Sequence, residues 1–144
     1  MYSLHYLDIS ANKLTAGELT IFLKLIKRKE HLRTLKLGYN SSTSAGLAPD
    51  EPDPLIEELT GFIHYSDSLL HLDLSGMSFT FEGLKKLCSR GLRKSRTLLS
   101  CHMSGMGLHD PQLNKIRQML KIKERTPTAL KQVDRGQLRA IFSK

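Results

Sequence analysis

Six histidines and two cysteines are the residues of this chain whose chemistry would suit metal binding or nucleophilic catalysis. His71 and His102 stand on the same face, two frame positions apart, of two segments that read as neighbouring parallel strands. Such strands lie about 4.8 Å apart, so the two imidazoles can approach diagonally. Zinc needs three or four donors, and no Asp, Glu or Cys joins this pair at a ligand spacing. Neither a metal nor a cofactor is expected. Cys88 and Cys101 fall at apolar positions of a periodic pattern, which predicts buried thiols that resist ionisation and form no disulfide framework. The phosphate-cradling, dinucleotide and zinc-protease motifs GxxxxGK[ST], GxGxxG and HExxH do not occur. Ser75-Gly76 and Ser104-Gly105 read as turns after strands, and no enzyme activity is expected.

The elements that would position these residues come from a repeat. Leu4, Leu7, Ile9, Asn12 and Leu14 set a frame that returns as Leu32, Leu35, Leu37 and Asn40. It returns again as Leu69, Leu72, Leu74, Met77 and Phe79, and as Leu98, Cys101, Met103, Met106 and Leu108. The starts are 28, 37 and 29 residues apart, room for one short strand and one helix per unit. Helices are predicted over 15–29, 54–65, 82–93 and 111–123. Leu19, Phe22, Leu23 and Ile26 form the apolar face of the first, and Leu84, Leu87, Cys88 and Leu92 that of the third. The longer second interval holds Ala48-Pro49-Asp50-Glu51-Pro52-Asp53-Pro54, which reads as a surface loop tolerant of shortening, with Pro54 opening the helix.

This frame resembles the leucine-rich-repeat family, specifically its long-repeat, ribonuclease-inhibitor-like class. The resemblance covers residues 4–123 and implies an α/β solenoid of about four strand-helix repeats, with a parallel concave sheet and convex helices. In the family, Asn at the ladder position satisfies backbone groups of the turn. Asn12 and Asn40 keep it, whereas Met77 and Met106 replace it, so the last two turns must satisfy their backbone otherwise. Residues 124–144 form a basic C-terminal extension, with Leu130, Val133, Leu138, Ile141 and Phe142 among its charges.

Two surfaces stand out as candidate interfaces. Strand residues that alternate away from the core include Tyr6, Asp8, Lys36, His71, Asp73 and His102, and the row Asp8, Lys36, Asp73, His102 alternates in charge across neighbouring strands. A second surface collects at the helix C-termini: Lys24, Lys27, Arg28 and Lys29, then Arg90, Arg93, Lys94 and Arg96, then Lys121, Lys123 and Arg125. Part of this compensates helix dipoles. The acidic residues Asp50, Glu51, Asp53, Glu57 and Glu58 are expected to interrupt that edge at the second helix.

The net charge of +8 is carried almost entirely by the last 32 residues, which hold nine Lys or Arg against two Asp or Glu. Such a block attracts acidic protein surfaces or nucleic acid. No apolar run reaches the roughly 18–20 residues that cross a bilayer, and no membrane partner is expected. Three residues precede Leu4, so the first repeat is expected to present an apolar end that other protein subunits or further repeats cover. Together these readings predict a non-enzymatic protein-interaction module, a scaffold or structural subunit in the cytoplasm, and the family resemblance implies a cytoskeletal or ciliary setting. The alternative is an RNA-binding or ribonucleoprotein-associated subunit that uses the basic edge and tail.

Overall fold

Each repeat begins with a three-residue strand whose central side chain points into the core. The computed structural model describes residues 3–41, 51–121 and 139–141. Its strands are β1 (Tyr6–Asp8), β2 (Thr34–Lys36), β3 (His71–Asp73), β4 (Ser100–His102) and β5 (Arg139–Ile141). They form one sheet in the order β1-β2-β3-β4-β5, every neighbouring pair parallel. The register aligns Leu7, Leu35, Leu72 and Cys101 as one inward row, matching the sequence frame. Within the segment read as a basic extension, the described element is β5, hydrogen-bonded beside β4; residues 124–138 and 142–144 lie outside the described residues.

The helices are α1 (Ala16–Ile26), α2 (Pro54–Tyr65), α3 (Phe81–Lys86) and α4 (Asp110–Lys121). Side-chain caps fix where they start. Thr15 and Glu18 form a capping box on α1, and Thr80 accepts from the Gly83 N–H at 3.1 Å on α3. Asp53 caps α2 by accepting from the Leu55 N–H at 2.9 Å, with Pro54 as the first helical residue. Asp53 is therefore part of a helix start and not of a dispensable loop, which corrects the sequence expectation at that end. Residues 42–50 lie outside the described residues. The core joins the strand row to Leu19, Leu23, Leu55, Leu59, Ile63, Leu84, Leu87, Leu92 and Ile116, all buried.

The third helix departs from expectation. It does not run regularly to residue 93 but widens into a π turn over Leu87–Gly91 and tightens into a 3-10 turn over Leu92–Lys94. Gly91 is where it meets α2, and a Cβ there would lie 3.4 Å from the Thr60 Cα. Close approach of two backbones at a glycine, with Leu87, Cys88 and Leu92 all buried around it, is what the distorted turns accommodate.

The turns after the strands repeat one geometry. Ala11, Tyr39, Gly76 and Gly105, each one residue before the ladder position, have φ of 56, 57, 68 and 66°. The first three donate their N–H to the next repeat: Ala11 to the Gly38 carbonyl, Tyr39 to Ser75 and Gly76 to Ser104, at 3.0, 2.7 and 2.7 Å. This inter-repeat bond needs no side chain, so it reaches the Met77 turn, where the buried Met77 also donates its N–H to the Leu74 carbonyl at 3.3 Å. Asn40 adds four bonds of its own. Its Oδ1 accepts from the Asn12 and Leu14 N–H groups, both at 3.1 Å, and its Nδ2 donates to the Ile9 and Leu37 carbonyls at 2.9 and 2.8 Å.

Candidate functional site

Because inward and outward side chains alternate along a strand, the sheet presents Tyr6, Asp8, Thr34, Lys36, His71, Asp73, Ser100 and His102 on its solvent-facing side. The register sets Asp8 opposite Lys36, Lys36 opposite Asp73, and Asp73 opposite His102, the row read from sequence. Three of these residues form a linked cluster. Lys36 Nζ lies 3.7 Å from Asp8 Oδ2 and 5.4 Å from the centre of the Tyr6 ring, while the Tyr6 hydroxyl donates to Asp8 Oδ2 at 3.2 Å. The Ser10 N–H, donating to Asp8 Oδ1 at 3.0 Å, chiefly holds the Asp8 carboxyl below its ordinary 3.8. The Tyr6 hydroxyl, and then the Asp8 and Asp73 carboxylates, hold the Lys36 ammonium above its ordinary 10.5. Both groups are fully charged at neutral pH, in fixed positions, beside an aromatic ring that is 53% exposed.

On the other half of the face, His71 Nδ1 and Ser100 Oγ are hydrogen-bonded at 2.7 Å, and Ser104 donates to Ser75 Oγ at 3.0 Å. His71 thus pairs with a hydroxyl, and His102 sits opposite a carboxylate. Among the described residues, no three His, Cys, Asp or Glu gather as a metal site would require. Both thiols are buried: Cys88 is pushed up to about 12, and Cys101 is also raised, in each case chiefly by loss of water.

The basic edge is built by the segments that lead from each helix to the next strand. Ser68 Oγ donates to the Leu32 carbonyl at 2.9 Å and Thr97 Oγ1 to the Ser66 carbonyl at 3.2 Å, so these segments lie side by side. Lys24 in the last turn of α1, with Lys27, Arg28 and Lys29 after it, stands at the first, and Arg90, Arg93 and Lys94 in the π and 3-10 turns, with Arg96 after them, at the third. All are exposed except the half-buried Arg93. Of these eight, only Lys27 makes an ion pair among the described residues, with Glu58 at 3.7 Å, and its ammonium also lies 5.9 Å from the Tyr65 ring. The side chain of Lys121, and Lys123 and Arg125 entirely, lie outside the described residues.

The interruption at the second repeat arises differently from the sequence reading. Asp53 is at the far end of α2; Glu57 pairs with Lys86 and Glu58 with Lys27, so these carboxylates bind neighbouring helices together. At the edge itself the acidic residues are Glu30 in the first segment and Asp67 in the second, both exposed. Tyr39, which the sequence offers beside Tyr6 as an aromatic anchor, also faces solvent in the turn after β2. It is 65% exposed, and its ring packs where a Gly76 Cβ would lie, 2.4 Å from Tyr39 Cδ1. Ile21 and Leu25 on α1, 61% and 73% exposed, were left out because they fall outside the Leu19, Leu23 and Ile26 face.

No family model matches this sequence, and no curated protein matches it. Twenty-seven chains of solved structures match its fold. One is leiomodin-1 actin-binding site 2, with 12% identity and a TM-score of 0.64 over 96% of this chain and 70% of that one. Another is a tropomodulin C-terminal domain from Caenorhabditis elegans, with 15% identity and a TM-score of 0.62 over 91% and 80% of the two chains. At such identities the likeness is one of fold, and it agrees with the strand frame derived above. The chain has a leucine-rich-repeat-type α/β fold shared with the tropomodulin and leiomodin domains.

Proposed function

We propose that this protein is a non-enzymatic interaction module, a solenoid of the long-repeat, ribonuclease-inhibitor-like class. In this reading it holds a protein partner on the solvent-facing side of its sheet within a cytoplasmic, cytoskeletal assembly. The observation that carries the reading is the Tyr6, Asp8 and Lys36 cluster: an exposed aromatic ring locked between two fixed charges. Ordered aromatic and charged groups lose little entropy on binding, which is what an interface anchor requires. The buried thiols and the pairing of His71 with Ser100 fit a surface built for recognition better than one built for reaction.

Leiomodin-1 supplies the first partner to test, since the region with this fold is named an actin-binding site. Filament co-sedimentation and titration of labelled monomeric actin at physiological salt test it directly. Saturable binding to one form is expected, weakened about tenfold by Lys36→Glu, a loss of about 1.4 kcal/mol. No binding to either form rejects actin as the partner. RNA binding with a steep salt dependence, lost on charge reversal of Arg93, Lys94 and Arg96, would replace the reading with the ribonucleoprotein alternative.

A further inference from the structure

The outward side of α1 carries an ordered strip that the core and the sheet face do not use. At about 100° per residue, Glu18, Ile21 and Leu25 fall within about 60° of one another, and the exposed Arg28 follows in the turn after the helix, whereas Leu19, Leu23 and Ile26 point to the core. Lys27 reaches α2, so the strip faces away from α2. Ile21 and Leu25 are 61% and 73% exposed, a pair of large aliphatic side chains four residues apart in water. Adjacent exposed aliphatics of this kind mark contact surfaces.

The spacing and charge order identify what fits the strip. The intervals are three, four and three residues, the same read in either direction, with an acid at the N-terminal end and a base at the C-terminal end. An acidic helix or an anionic membrane would suit Arg28 but meet Glu18. A second copy of the same helix, laid antiparallel about a two-fold axis beside Leu23, satisfies every position. Ile21 then meets the partner's Leu25 twice, and Glu18 meets the partner's Arg28 twice. Glu18 spends its Oε2 on Thr15 in the capping box, which leaves Oε1 for this contact. Arg28, in the turn after α1, has no ion pair among the described residues. Gly17, exposed and without a side chain, lets the helices come close.

We infer that this protein self-associates as a two-fold dimer through α1, with Ile21 and Leu25 as its apolar centre and Glu18 with Arg28 as its charged ends. Such an interface is isologous, so it closes at two chains. A contact resting on one 11-residue helix falls short of the roughly 1,600 Å² of a standard interface, so the dimer is a weak and reversible one. This inference is independent of the partner on the sheet face.

Sedimentation equilibrium of the whole chain over a wide concentration range tests it. The expected result is a monomer–dimer equilibrium that stops at two. Leu25→Lys should abolish it, and Arg28→Glu should weaken it about tenfold while circular dichroism and melting stay as in the wild type. Glu18→Gln keeps the cap and should weaken the dimer less. A chain that remains monomeric throughout overturns the inference, as does a dimer that survives Leu25→Lys or an association that continues beyond two copies.

Discussion

Asn40 and Ala11 show how much single residues matter in the turns. Asn40 is buried and occupies four backbone groups, so Asn40→Ala strands several donors and acceptors and should cost roughly 2–4 kcal/mol in denaturant unfolding. Asn12 is exposed, and among the described residues its side chain donates only to the Ser10 carbonyl in its own turn, so it should tolerate alanine within about 0.5 kcal/mol. Ala11 holds a left-handed φ of 56° that glycine adopts freely, so Ala11→Gly should stabilise by up to about 1 kcal/mol. Gly76→Ala should do the reverse, since its φ is 68° and the new methyl would meet the Tyr39 ring. The two asparagines were equal in the sequence frame. Their difference depends on a neighbouring repeat across the turn, and a frame read along one chain does not contain it.

At the scale of elements, strand and helix order was legible because each repeat carries its own apolar frame, and α2 begins and ends where Pro54 and Tyr65 placed it. The π turn in α3 was not legible. Leu84, Leu87, Cys88 and Leu92 keep ordinary helical spacing, and the widening sits where Gly91 packs against Thr60 of α2, a neighbour that belongs to the tertiary structure. The inward row makes a sharp prediction: Leu72→Asp puts an uncompensated charge where Leu35 and Cys101 pack, and should abolish cooperative unfolding, while Lys36→Ala leaves it intact. Cys88 and Cys101 provide a second readout. With its pKa raised to about 12, the Cys88 thiol stays protonated and unreactive at pH 8, so a thiol reagent should label it only as fast as the chain opens. Rapid labelling of the native protein would contradict the packing. For Glu18 the sign is opposite: its carboxyl is held below 4.5 by the Thr15 N–H, so the capping contribution is full above that pH and fades as pH falls through the lowered value.

For the molecule as a whole, the sequence located two candidate surfaces and the structure separates their characters. The sheet face is organised, with Tyr6, Asp8 and Lys36 fixed by mutual contacts. The basic edge is a row of side chains, exposed except for Arg93 and interspersed with Glu30 and Asp67, with Lys27 as the one ion-paired cation among its described residues. What the sequence did not reveal was the outward strip of α1, because exposed aliphatics stand out only once the buried face is known. The strip shares Arg28 with the basic edge but none of its residues with the sheet face, so a partner on the sheet and a second copy on α1 need not compete. The central claim is that recognition uses the sheet face, and a side-by-side binding isotherm with actin tests it most directly. The Tyr6→Ala/Lys36→Glu protein and the Arg93→Ala/Lys94→Ala/Arg96→Ala protein are compared with wild type at one salt concentration, each with its melting temperature. The account predicts binding lost in the first and within about twofold of wild type in the second, since screened rim charges contribute little to affinity. Binding that survives the first set of substitutions and disappears with the second would contradict it.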